Sequence, residues 1–150
     1  MIYEQTSIII NSKIDNVWNF VKKLMTTSDQ PNIIPECNNI EILEEIDGKI
    51  LRKLSYADRI EKEVVTVNFN NHRINITVQE NTNYFIETLI TLISPSEEFL
   101  SEKNTSLVIV SAARMHPGVF ASPNFERQKF IEELAKNIKN EVEKENMHLV

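Results

Sequence analysis

The chain has 150 residues, 41% of them hydrophobic and 25% charged, a balance that excludes disorder by composition and suits one domain spanning 1–150 rather than two. Sixteen basic against 22 acidic side chains leave a net charge of −6, which favours solubility and disfavours nucleic-acid binding. The two glycines, Gly48 and Gly118, cannot compose a glycine-rich phosphate loop.

The opening MIYEQTSIII carries Glu4 inside its apolar run and no basic leader. It reads as neither signal peptide nor anchor. No apolar run approaches the roughly 18 residues of a spanning helix, so a cytoplasmic protein without a membrane span is expected. Ile2 to Ile10 is the first strand. Ser12, with Asp15 three residues on, resembles a capping box ahead of a helix over about 13–26. In that helix Ile14, Val17, Trp18, Val21, Leu24 and Met25 recur at spacings of three and four. Pro31 and Pro35 bracket Asn32 to Glu36, where only a helical turn fits.

Strands then follow one another. Ile40–Ile46 meets Lys49–Ala57 through Asp47-Gly48, a strong hairpin signal. Glu61–Phe69 meets His72–Val78 through Asn70-Asn71, where asparagine tolerates the positive φ of a tight turn. Tyr84–Ile93 is a long β-rich run. A charged connection, 94–104, with a short helical turn around Glu97–Leu100, leads to a last strand, Thr105–Arg114. Ser122-Pro123 is suited to open a helix over about 123–145. On that helix Phe130, Leu134, Ile138 and Val142 fall four apart, widened by Phe125, Ile131 and Ala135.

Strand, helix, six antiparallel strands and a long helix give an α+β chain. A seven-stranded sheet with one apolar face is completed by laying the last helix across it, and a cavity at such a seam suits a small molecule. This order is similar to the helix-grip fold of the START-like (SRPBCC) superfamily, in which a curved seven-stranded antiparallel sheet (β-α-β6-α) wraps around a long C-terminal helix. MIYEQTSIIINSKIDNVWNFV resembles that superfamily's first strand and helix, with Trp18 at an aromatic position. Ile42–Asp58, ILEEIDGKILRKLSYAD, resembles the second hairpin of the AtaL-like family, whose members include some associated with polyketide pathways. The resemblance implies binding of a small hydrophobic or aromatic ligand, or a cyclase/aromatase-type reaction in the same cavity. A protein-interaction module with a filled core is a third reading.

Candidate site residues come from the strand pattern. Ile50, Arg52, Leu54 and Tyr56 share a face because side chains alternate. If that face is inward, Arg52 needs a partner, and Glu87 is one option. Both faces of Tyr84–Ile93 are largely apolar, so its direction is not fixed by the pattern. Arg52 and Tyr56, with Glu87 or Thr88, would orient a polar ligand group; the plainer reading is that Arg52 makes a structural pair or lies at a rim. Phe130 and Leu134 would line the cavity from the helix. Arg114 and His116 stand where the last strand feeds a loop that can border the cavity mouth. His116 has suitable acid–base chemistry, but no carboxylate is placed for it, and His-Pro-Gly also builds a turn. Trp18 reads as a core anchor, Cys37 as a small semi-buried filler, and His72 and His148 as solvated. The three histidines and one cysteine lack metal-ligand spacing, and no cofactor is implied. An exposed meander edge can pair across a two-fold axis, so a homodimer is one available assembly.

Overall fold

The computed structural model describes residues 2–57, 59–79, 85–93, 105–115 and 125–147, without the side chains of 2–3, 79, 85–87, 113–115, 125–127 and 145–147. In chain order these form β1 (Ile2–Ile10), α1 (Ile14–Thr26), a 3-10 turn (Pro31–Ile33), β2 (Cys37–Ile46), β3 (Lys49–Tyr56), β4 (Ile60–Asn68), β5 (Arg73–Gln79), β6 (Phe85–Ile93), β7 (Ser106–Met115) and α2 (Phe125–Met147). The strands make one curved antiparallel sheet in the order β1-β7-β6-β5-β4-β3-β2. It is the expected helix-grip architecture: a meander from β2 to β7, with β1 added beside β7. The helical turn expected near Glu97–Leu100 and the Ser122-Pro123 cap fall outside the described residues.

Burial fixes which face is inward. On β6 the even positions Thr88, Ile90 and Leu92 are buried, as are Val108, Val110 and Ala112 on β7 and Ile74 and Ile76 on β5. The buried stripe of α2, Ile131, Leu134, Ala135, Ile138 and Val142, covers the β1–β7 side of this face. Lys139 ties α2 to the end of β1, donating to the Ile9 carbonyl at 2.7 Å and to Glu143 at 2.7 Å. Glu143 in turn accepts from the Asn11 backbone N–H at 3.0 Å. Burial pushes the Glu143 carboxyl up, but the hydrogen bonds from Lys139 and Asn11 outweigh it and hold the carboxyl below its ordinary value.

The predicted apolar stripe of α1 is buried, with Phe20 added to it. The expected serine cap is not formed: Lys13 stands at the N-cap and makes no side-chain cap bond. Ser12 is engaged elsewhere. Its carbonyl accepts from the Ser106 hydroxyl at 2.7 Å, and its own hydroxyl accepts from Asn16 Nδ2 at 3.3 Å. Trp18 anchors the helix as expected, meeting the rings of Phe69 and His72 edge-on at centroid distances of 6.3 and 5.1 Å. His72 is therefore half-buried against the indole rather than freely solvated.

The two hairpin turns use different chemistry. Asp47 and Gly48 both have positive φ, 49° and 76°, the two-residue turn whose twist matches its strands. In the second hairpin Asn68 pairs with Arg73, leaving a four-residue loop. Asn68 Oδ1 accepts from the Asn71 N–H at 3.3 Å, and the positive φ falls on His72, at 49°, rather than on either asparagine of the Asn70-Asn71 pair. A Cβ at Gly48 would meet nothing within 4 Å, so the cost of a side chain there is purely conformational. Gly48→Ala is expected to destabilise by about 1 kcal/mol in urea unfolding, and Gly48→Asn by less, because asparagine tolerates the left-handed region.

Candidate functional site

The inner face of the sheet divides into two chemically distinct halves. Toward the 47–48 and 69–72 turns it is largely apolar: Ile10, Ile74, Ile90, Leu92 and Val108 are buried there, with the hydroxyl of Ser106 among them; α1 packs on β4 and β6. Toward the opposite end, buried polar groups appear: Arg52 and Tyr56 on β3, Glu63 on β4, Thr88 on β6 and Glu4 on β1. Register brings them into rows. Ile42, Arg52, Glu63 and Val78 stand side by side across four strands. Glu4, Ala112, Thr88 and Ile76 form the neighbouring row from the other edge.

Arg52 is inward, as the alternation with Ile50 and Leu54 requires, and only 2% exposed. Its partner is Glu63, not Glu87. Arg52 Nη2 lies 2.8 Å and Nε 3.0 Å from Glu63 Oε1. The guanidinium also donates from Nη1 to the Met25 carbonyl at 3.4 Å, and Nη2 lies 3.6 Å from Met25 Sδ. A cation at the last turn of a helix is electrostatically favoured, so one side chain joins β3, β4 and the end of α1. Lys53, the next residue, faces outward and pairs with Glu41 at 2.9 Å.

Tyr56 is also inward and 8% exposed. It stands opposite Cys37 on β2, and the Arg59 guanidinium lies 4.2 Å from its ring centroid. Arg59 is itself paired with Glu61 at 2.9 Å. The Tyr56 hydroxyl has no hydrogen-bond partner among the described residues. Burial pushes its pKa well above the ordinary tyrosine value, and the nearby Glu63 and Glu61 carboxylates push the same way. Burial likewise raises the Cys37 thiol, although Asn39 moderates the effect; its Sγ is 3.5 Å from the Asn39 carbonyl. Cys37 is a buried filler, as expected.

Of the other sequence candidates, Thr88 is buried on the inner face, one row from Arg52 and Glu63. Glu87 takes the alternate position on β6, with Leu89 and Ile93, and its side chain is not among those described. Arg114 pairs with Ile2 and Ile86 on an even position of β7, with Val110 and Ala112; its side chain too lies outside the description, as does all of His116. Leu134 is buried and Phe130 half-buried against the core. Glu63 was not anticipated. The signal was present: it alternates with Val65 and Val67 on one face of β4, which the meander places directly beside β3. Among the described residues no group of three His, Cys, Asp or Glu is arranged to hold a metal, and no helix is long and apolar enough to cross a membrane.

No protein-family profile matches the chain, and no curated protein sequence does. Its likeness is to solved structures. XoxI from Bacillus cereus is 19% identical with a TM-score of 0.69, over 95% of this chain and 96% of its own. The Zhui aromatase/cyclase from Streptomyces sp. R1128 is 13% identical with a TM-score of 0.67, over 95% and 93%. A START superfamily protein from Mycobacterium smegmatis is 14% identical with a TM-score of 0.66, over 95% and 97%. At these identities the likeness shows a shared fold. The chain has the helix-grip fold of the START-like (SRPBCC) superfamily.

Two outcomes follow from the site's geometry. Removing one member of a buried ion pair strands the other charge, so Arg52→Met alone is expected to destabilise by about 3–5 kcal/mol. Arg52→Met combined with Glu63→Leu is expected to recover most of that loss, since an apolar replacement strands no charge; a double-mutant cycle in urea measures both. Because the folded-state pKa of Tyr56 lies above its unfolded value, the linked stability is full below about pH 10 and declines as pH rises toward the folded value. Between pH 9 and 11 the native chain should therefore lose about 1 kcal/mol more than Tyr56→Phe, compared by urea unfolding at the two pH values.

Proposed function

We propose that the chain binds a small, mostly hydrophobic molecule in the seam between the polar half of the inner face and α2. The observation that carries this reading is the asymmetry of the face. One half is largely aliphatic, with α1 packed on its β4 and β6 strands, whereas the other half buries the charged and polar groups Arg52, Glu63, Tyr56 and Thr88. A fully packed core gains little from such groups, while a binding seam uses a few fixed polar groups to orient an otherwise apolar guest. Arg52 on this reading acts through Glu63, holding that carboxylate in place. Leu134 and Phe130 supply apolar lining from the helix, and Arg114 near the end of β7 belongs to the same set.

A catalytic use of the same seam, of polyketide cyclase or aromatase type, is favoured by the likeness to the Zhui aromatase/cyclase. Shaping a reactive chain and supplying a proton donor suffices for such chemistry, and Tyr56 is the donor best buried for it. The hairpin Ile42–Asp58 supports placing the chain with the AtaL-like proteins. The net charge of −6 favours a protein that does not act on nucleic acid. A homodimer through edge strand β2, where Leu43 and Ile46 are exposed, belongs to the same reading, and sedimentation velocity tests it.

Native mass spectrometry of freshly purified protein tests the binding reading. A co-purifying species of a few hundred daltons, released on denaturation, is the expected result. Apo protein that also binds no member of an apolar small-molecule panel would instead favour a filled core and an interaction module. For the catalytic reading, turnover of a polyketide-like substrate should fall in Tyr56→Phe; unchanged turnover removes that hydroxyl from the chemistry.

A further inference from the structure

The end of the sheet away from the seam carries a feature that small-molecule binding leaves unexplained. Phe69, the first residue past β4, is 61% exposed. Its place follows from alternation. Glu63, Val65 and Val67 take the inward positions of β4, and Phe69 continues that series beyond Asn68, the last paired residue. There its ring meets the edge of Trp18 at a centroid distance of 6.3 Å, and the Lys22 ammonium lies over it at 5.6 Å. Trp18 itself is buried and makes a second edge-on contact, with His72 at 5.1 Å. The His72 carbonyl in turn accepts from the Leu92 N–H of β6 at 3.0 Å. The turn thus presents an aromatic ring to solvent from a packed support.

Charge at this end departs from that of the whole chain. There are 22 acidic residues, yet none falls in 16–28 or in 64–79, the two segments that the Trp18 contacts bring together. These segments carry Lys22, Lys23 and Arg73. Lys23 is matched by Asp29 at 3.9 Å. Asp47 stands in the neighbouring hairpin turn, which the pairing of Lys49 with Thr66 sets beside the end of β4. Lys22 and Arg73 make no ion pair among the described residues. Arg73 is exposed and reaches out from the opposite face of the same sheet end, where it pairs with Asn68.

An exposed ring at the tip of a turn, with a cation on each side, offers a small soluble anion no enclosed set of donors. It suits a surface that is anionic outside and apolar within. A long polyanion is a poorer match, because the rest of a chain of net charge −6 would repel it. We propose that the 69–72 turn, with Lys22 and Arg73 beside it, docks reversibly on an anionic lipid bilayer. Phe69 enters the boundary between headgroups and acyl chains, and the two cations stay at the headgroups. One aromatic ring and two cations give weak, salt-sensitive attachment. This docking does not depend on the seam being a binding site.

Sedimentation of the full chain with vesicles at low ionic strength tests the proposal, with phosphatidylcholine alone compared against equal parts phosphatidylcholine and phosphatidylserine. Partitioning onto the mixed vesicles is expected to be at least about tenfold stronger, and to fall as salt is added. Lys22→Glu combined with Arg73→Glu should weaken it about tenfold or more, and Phe69→Ala about fivefold. Ile60→Ala removes a side chain that is 64% exposed at the other end of β4, and should change nothing. Circular dichroism checks that each variant is folded. Absence of binding to the mixed vesicles overturns the proposal, as does equal binding to both lipid compositions. Equal weakening by Ile60→Ala and Phe69→Ala overturns the assignment to this turn. Binding of a single-stranded oligonucleotide in place of the vesicles, lost in Phe69→Ala, overturns it in favour of a nucleic-acid partner.

Discussion

The buried contact between Arg52 and Glu63 is the constraint around which the other features are arranged. Two charges leave water together, and their attraction offsets that penalty only if the geometry is close and the spare donors find acceptors. The structure meets the condition by drawing in a third element, the last turn of α1, through the Met25 carbonyl. The pair therefore does more than join neighbouring strands. It also ties the last turn of α1 to the sheet.

The character of the inner face changes along its strands. The half toward the 69–72 turn is packed largely with branched aliphatic side chains from β1 and β5 to β7, and the indole of Trp18 closes it against that turn. The other half keeps polar atoms under cover, with α2 along one flank. Charge and burial make this half unusual as a core. The same properties make it serviceable as a surface that a mostly apolar molecule can complete.

Much of the architecture was legible from local patterns. The three- and four-residue spacing of α1 and α2 and the Asp-Gly hairpin are local signals, and the elements they predict are present. Alternation along β3 correctly turned Arg52 and Tyr56 inward. The errors arose where a residue's role depends on distant chain. Ser12 looks like a cap in isolation, but the Ser106 hydroxyl holds its carbonyl, and the helix starts one residue later than that cap needs. Asn70-Asn71 resembles a two-residue turn, yet the pairing of Asn68 with Arg73 enlarges the loop and moves the left-handed residue to His72. The partner of Arg52 was sought on β6, whose two faces are both apolar, when the register of β3 against β4 already set Glu63 opposite it. Sequence pattern determines which face a residue occupies; only strand pairing determines its neighbour along that face.

The placement of Trp18 has a practical consequence for work in solution. It is the chain's single tryptophan, and it sits at the far, closed end of the inner face, against the imidazole of His72 and the ring of Phe69. Its emission is a gauge of how α1 seats on that turn and of the global unfolding of the sheet. A guest entering beside Tyr56 would leave this fluorophore largely undisturbed, so intrinsic fluorescence separates the integrity of the scaffold from the occupancy of its other half.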